Sequence, residues 1–199
     1  MGVRRYLFVD GTNFYAGQYE LFGPKRYIVF SDFIEQLESA LNRKFDKVFF
    51  YCSYSPRSLH PSKKELSYLK NEYFFYRSVK KTPRVVFYRG YRSKKSGKEK
   101  GVDVKIASDL VSLSLSHKYH EGYLLTGDAD FLEALFVSDK FSKCVKHYIV
   151  CLENKIMYRG SYYFPTFIVR LTGKKLSIKE KYYRIVNMDS ELIVENVSK

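Results

Sequence analysis

Five short apolar runs alternate with longer segments of helical period along this chain, and that alternation leaves few architectures open. The runs are Tyr6 to Asp10, Lys47 to Tyr54, Arg84 to Tyr91, Gly122 to Thr126 and His147 to Leu152. Val48-Phe49-Phe50-Tyr51 shows the type: apolar or aromatic side chains leave both sides of the strand, so both sheet faces must be covered. Parallel strands joined by helical crossovers meet that condition. The expected fold class is therefore α/β, with a central, mostly parallel sheet between layers of helices.

The intervening segments supply the helices. Ser31 is the candidate N-cap of the first, with Phe33, Ile34, Leu37 and Leu41 on one stripe. Ser62-Lys63-Lys64-Glu65 fits a capping box, followed by Leu66, Leu69, Tyr73 and Tyr76 at spacings of three and four. A third helix starts near Asp103 and turns Ile106, Leu110 and Leu113 inward, and a fourth covers Phe131 to about Phe141. Asn13 opens a short helix after the first strand. Pro165 marks a bend before a short strand at Phe167-Ile168-Val169.

Periodicity fades after Gly173, where the sequence becomes lysine-rich. Residues 1–173 read as one domain and 174–199 as a basic C-terminal appendage. A length of 199 residues suits a single domain with its own core, and 45% hydrophobic residues are too many for a disordered basic chain. No secretory signal and no apolar run of membrane-spanning length are visible, so a soluble, cytoplasmic protein is expected. Cys52, Cys144 and Cys151 are odd in number and widely spaced, which favours buried, reduced thiols over disulfides or a zinc site.

Lys and Arg number 35 against 21 for Asp and Glu, a formal charge of +14 that points to polyanions, nucleic acid first. Between Arg92 and Gly101 the connector carries Lys94, Lys95, Lys98 and Lys100 and leads straight into the third helix. Such a loop leaves the carboxyl end of a strand, where open parallel sheets bind ligands. Contacts from these lysines to a nucleic-acid backbone would be charge-driven and independent of sequence.

Within this basic chain, Asp10 ends the first strand, Asp103 opens the helix after the third, and Asp128 and Asp130 follow the fourth. Each alone could serve as a cap or turn residue. Gathered at one sheet edge, four carboxylates repel each other, and a divalent cation removes that conflict. Oxygen ligands without a histidine or cysteine motif suit Mg²⁺ or Mn²⁺, which can activate water for attack on a phosphodiester. Asp109 follows Asp103 by six residues and is rotated from it by about 240° on a helix, so it belongs to a second tier. Asn13 is placed to cap a helix or to hold a phosphate or metal-bound water, and Thr126 to donate a hydrogen bond to the cluster.

Three ordered segments carry a family likeness: Phe8-Val9-Asp10-Gly11-Thr12-Asn13, Lys100-Gly101-Val102-Asp103-Val104-Lys105-Ile106-Ala107-Ser108-Asp109-Leu110, and Leu125-Thr126-Gly127-Asp128-Ala129-Asp130-Phe131. They resemble the NYN domain, a branch of the PIN-like nuclease superfamily, over about residues 5 to 172. The resemblance implies a Rossmann-like (PIN-like) three-layer sandwich and an acidic, Mg²⁺- or Mn²⁺-dependent site that cleaves RNA. By motif position Asp10, Asp103, Asp128 and Asp130 match the family's acids, and Asp109 the second acid of the middle motif.

Other readings meet obstacles. Asp10-Gly11-Thr12 resembles the end of a haloacid dehalogenase phosphatase motif, but Phe8 stands where the nucleophilic aspartate is needed. Neither a P-loop motif nor GxGxxG after the first strand occurs. The remaining rival is a non-catalytic RNA-binding module, using Tyr73-Phe74-Phe75-Tyr76-Arg77 and Val85 to Arg92, where rings interleave with cations. A carboxylate cluster that repels phosphate favours the ribonuclease. RNA is the expected partner, with DNA not set aside, and the large aromatics near the C-terminus leave room for a homodimer.

Overall fold

A computed structural model of the chain describes residues 2–92, 99–178, 182–189 and 194–197. In chain order the elements are β1 (Arg5–Asp10), α1 (Gly11–Phe22), β2 (Arg26–Ile28), α2 (Phe30–Leu41), β3 (Lys47–Cys52), α3 (Lys63–Lys81), β4 (Val85–Arg89), β5 (Tyr91–Arg92), β6 (Glu99–Lys100), α4 (Val102–Leu115), β7 (Glu121–Leu125), α5 (Leu132–Phe141), β8 (Lys146–Leu152), β9 (Thr166–Arg170), β10 (Tyr183–Asn187) and β11 (Val194–Asn196). A seven-stranded sheet in the order β10-β9-β8-β7-β1-β3-β4 forms the middle layer, and its neighbouring strands run parallel. The α/β fold expected from the alternation of runs is the fold observed.

Both faces of β1 are filled, as its unbroken apolar run requires. Leu7 and Val9 enter one core with Phe14, Phe33, Phe50 and Phe75, beneath α1, α2 and α3. Tyr6 and Phe8 enter the other with Ile106, Leu110, Leu132 and Leu135, beneath α4 and α5. From β1 the sheet grows outward through β3 and β4, then resumes at β7 on the opposite flank of β1. The strand order reverses between β1 and β7, so the connections beyond their carboxyl ends diverge and leave a crevice.

Several local expectations are corrected. α2 begins at Phe30 with Val29 as its cap, and the Ser31 hydroxyl bonds to Asp32 instead of capping. The Phe30 N–H is met from another element, by Ser78 Oγ at 3.3 Å. Ser62 does cap α3, accepting the Glu65 N–H at 3.1 Å, but the Glu65 carboxylate turns to the backbone N–H and hydroxyl of Ser58 and leaves the box open. Leu66 and Tyr73 are exposed, while the inward face of α3 carries Asn71, Glu72, Phe75, Tyr76 and Val79. The stripe is displaced because two buried polar residues belong to it. Asn71 donates to the carbonyls of Pro24 and Arg26, and Glu72 accepts from the N–H and hydroxyl of Ser55.

The segment after Gly173 contributes two strands. β10 extends the main sheet beside β9, and β11 pairs antiparallel with β2. Val186, Met188 and Val197 are buried in the core beneath α1, α2 and α3. Cys52 and Cys151 are buried free thiols, whereas Cys144 is exposed on the loop before β8. Among the described residues no helix is long and apolar enough to cross a membrane.

Candidate active site

β1 ends on Asp10 and the next residue opens α1, so this carboxylate is both a strand end and a helix cap. Its Oδ1 accepts the Asn13 N–H at 3.0 Å, and its Oδ2 accepts the Thr126 hydroxyl at 2.9 Å. Thr126 follows β7, the strand beside β1. The same hydroxyl oxygen accepts the Asp128 N–H at 3.1 Å, and Asn13 Oδ1 accepts the Gly127 N–H at 3.0 Å. Two of these bonds, Thr126 to Asp10 and Gly127 to Asn13, lace the β1–α1 junction to the loop after β7, and the other two brace each side.

Two glycines let these segments press against the elements around them. A Cβ on Gly11 would lie 2.2 Å from the Phe50 ring, and one on Gly127 would lie 2.4 Å from the Lys155 carbonyl oxygen. Both distances are far inside van der Waals contact, so neither position has room for a side chain while the loops stay where they are.

A third carboxylate approaches from β6. Gly101, with φ 81°, turns the chain into α4 and places Asp103 in its first turn. Asp10, Asp103 and Asp128 line one cleft of about 320 Å³ together with Thr12, Asn13 and Ala16. Asp10 is only 5% exposed. Burial pushes its pKa up to about 6; the Asn13 and Thr126 hydrogen bonds oppose that rise, and the charges of Asp103 and Asp128 add to it. Among the described residues no three His, Cys, Asp or Glu side chains stand close enough to enclose one ion. The three aspartates face a shared space rather than a single point.

The other sequence candidates are placed differently. Asp130 is exposed and does not line the cleft; its backbone N–H bonds to Asp128 Oδ1 at 3.0 Å and starts the 3-10 turn Ala129–Phe131. Asp109 lies on another side of α4, accepting the Tyr51 hydroxyl at 2.9 Å and the Lys105 ammonium at 2.6 Å. Lys100 is exposed on β6, paired with Tyr91 of β5. Lys94, Lys95 and Lys98 lie outside the described residues. Thr12 and Ala16 escaped sequence reasoning. Their signal was a spacing of four on α1, which puts both on one helical face once the helix is read from Gly11.

A family model described as the NYN domain matches residues 4–155, the span from β1 through β8 that holds every residue of the cleft. No curated protein matches the chain. A crystal structure of a protein of unknown function from Vibrio parahaemolyticus RIMD 2210633 is similar over 86% of this chain and 94% of that one, with a TM-score of 0.60 and 14% sequence identity. At that identity the likeness concerns the fold alone. Sequence motifs, sheet order and family model agree: the chain belongs to the NYN domain family, within the PIN-like nuclease superfamily.

Proposed function

We propose that the protein is a divalent-metal-dependent ribonuclease that hydrolyses RNA phosphodiester bonds in the cleft of Asp10, Asp103 and Asp128. The observation that carries this reading is the convergence of those three carboxylates beyond the switch point of the sheet, in a chain of +14 formal charge.

The donor set fits Mg²⁺ or Mn²⁺. Mg²⁺ keeps several waters and takes only one or two protein carboxylates, so acids spread around 320 Å³ suit a hydrated ion better than a closed cage. The raised pKa of Asp10 reports the same need, because burial and like charge oppose ionisation until a cation compensates. One or two of Asp10, Asp103 and Asp128 would bind the ion directly and the rest would bind through its waters, with Asp130 on the neighbouring turn. When bound, such an ion polarises the phosphate and lowers the pKa of an attacking water.

The protein's own groups do the positioning. Thr126 and the Asn13 N–H fix both oxygens of Asp10, so its lone pairs are held before substrate arrives. Ala16 presents only a methyl group and leaves space for the sugar-phosphate chain. Lys100, exposed just before α4, would neutralise a backbone phosphate, and Lys94, Lys95 and Lys98 precede it in sequence with the same charge.

Cleavage of labelled RNA and DNA oligonucleotides with Mg²⁺, Mn²⁺ or EDTA, beside Asp10→Asn and Asp128→Asn, tests the reading. Metal-dependent RNA cleavage lost in both variants is expected. Equal cleavage by wild type and variants removes the proposed site, and tight RNA binding without turnover in any metal favours a binding module.

A further inference from the structure

Several cations of this protein are neutralised by carboxylates. Arg5 and Arg43 meet Glu121, Arg84 meets Glu38, Lys105 meets Asp109, and Lys155 meets Glu20. Lys80 and Arg89 are arranged otherwise, since both lean on one ring. The Arg89 guanidinium carbon lies 4.9 Å from the Tyr54 ring centroid, and Lys80 Nζ lies 5.5 Å from it. Lys80 also donates to the Tyr54 hydroxyl at 3.0 Å and stands 4.7 Å from the Phe87 ring centroid. Tyr54 is fixed in turn, edge-on to buried Tyr76 at 5.2 Å. Among the described residues neither cation has a carboxylate within 4.0 Å.

Two exposed like charges held on one ring repel each other, and the ring quadrupole offsets that repulsion only in part. A bridging anion removes it. A guanidinium fork beside an ammonium matches a phosphate, one side chain giving paired donors and the other a point charge.

The cluster has a definite place relative to the acids. Asp10 of β1 is in register with Tyr51 of β3, and Tyr51 with Tyr88 of β4. Arg89 is one residue further along β4, in register with Cys52, and Tyr54 follows two residues after Cys52. The cluster is therefore two strands from Asp10 at the same carboxyl edge, on the α3 face where Tyr54 and Phe87 pack, and the lateral spacing of about 10 Å at ~4.8 Å per strand is a lower bound on its separation from the acids. β5 and β6, with exposed Tyr91 and Lys100, continue from the same strand end.

We infer that Lys80 and Arg89, set by Tyr54, form a subsite for a backbone phosphate of the RNA strand flanking the one in the acid cleft. This rests on the ribonuclease reading of that cleft. The separation rules out contact with the scissile phosphate itself, so the subsite acts on binding and Tyr54 is a positioning residue.

The test measures affinity of the full chain for a labelled single-stranded RNA across a salt series in EDTA, where cleavage is suppressed. Lys80→Ala/Arg89→Ala is compared with wild type and with Lys143→Ala/Lys146→Ala, which removes equal charge near the amino end of β8. Each phosphate contact contributes about 0.7 to the slope of log K against log salt on a single strand, so the first variant, which empties a one-phosphate subsite, should flatten it by about 0.7. Its affinity should fall on the order of tenfold, and the control should leave the slope near wild type. Arg89→Gln alone should flatten the slope in the same direction by up to about 0.7, which serves if the double variant melts early. In cleavage with metal, KM should rise while kcat holds. An unchanged slope, or equal flattening by the control, overturns the subsite. Wild type that binds with these slopes but never cuts overturns the ribonuclease reading alone, whereas wild type that cuts beside a double variant that binds normally overturns the subsite alone.

Discussion

The Thr126 hydroxyl donates to Asp10 Oδ2 at 2.9 Å from the neighbouring strand end, so the carboxylate that closes β1 is oriented by the loop after β7. Thr126→Val keeps the shape and removes the donor. That hydrogen bond favours the ionised form of Asp10, so its loss raises a pKa that burial already pushes to about 6. The acid limb of the pH-rate profile should shift upward in the variant. Near pH 6.5 the rate should fall on the order of tenfold, the scale for groups that orient a metal ligand, and recover toward alkaline pH. A uniform loss at every pH would instead mark Thr126 as a packing residue.

Asp10 also makes the cleft a source of instability. Its pKa rises from 3.8 to about 6 on folding, so the folded chain binds the proton more tightly. The stabilisation from that proton is full below 3.8 and lost as pH rises through 6. Asp10→Asn removes the buried charge, so at pH 8 the variant should be more stable than wild type by about 2 to 3 kcal/mol, a gain that shrinks as pH falls from 6 to 4. Urea unfolding at both ends of this range reads it. Mg²⁺ or Mn²⁺ should raise the wild-type melting temperature at pH 8 and leave Asp10→Asn unmoved.

How much of this was legible depended on whether a residue's partner lies in its own pattern. Leu7, Phe8 and Val9 announce a strand covered on both faces, and Asp10 and Asp128 could be placed at the crevice because strand ends are readable. α1 was underestimated because its buried face includes Gly17 and Gln18. Gln18 Oε1 accepts the Ile28 N–H at 2.9 Å, a tertiary bond that no periodicity encodes. β10 and β11 hid in a lysine-rich composition, since an edge strand buries few residues and β10 buries only Val186 of its five. Asp128 and Asp130 are equivalent as letters; only the 3-10 turn decides that the first faces the cleft and the second faces solvent.

Gly127 is the point where the loop after β7 presses closest on backbone elsewhere in the molecule. A methyl group there would meet the Lys155 carbonyl at 2.4 Å, and backbone cannot swing away as a side-chain tip can. Gly127→Ala should displace Thr126 and Asp128 together, breaking the bonds to Asp10 and Asn13. Cleavage should drop by at least the Thr126→Val factor and should not recover at alkaline pH, while stability falls by about 1 to 3 kcal/mol from overpacking. Activity retained alongside an unchanged melting temperature would show that the loop yields freely.

At the other end of the sheet, His147 titrates against folding. Its Nε2 lies 3.1 Å from the Tyr119 hydroxyl, which itself donates to the Leu110 carbonyl. The ring therefore donates through Nε2, and Nδ1 carries the lone pair, 3.9 Å from Asp139 Oδ1. Burial lowers the His147 pKa from 6.5 to about 4, with Asp139 opposing. Because the folded value is the lower one, its contribution to stability is full above 6.5 and is lost as pH falls toward 4, about 3 kcal/mol in all. Asp10 drifts the opposite way over part of that window, so the Asp10→Asn background isolates the histidine. There, unfolding free energy should decline between pH 7 and 4, and His147→Phe should abolish most of the decline while Tyr119 keeps its bond to Leu110. An equally steep decline with phenylalanine in place would move the acid sensitivity to another group.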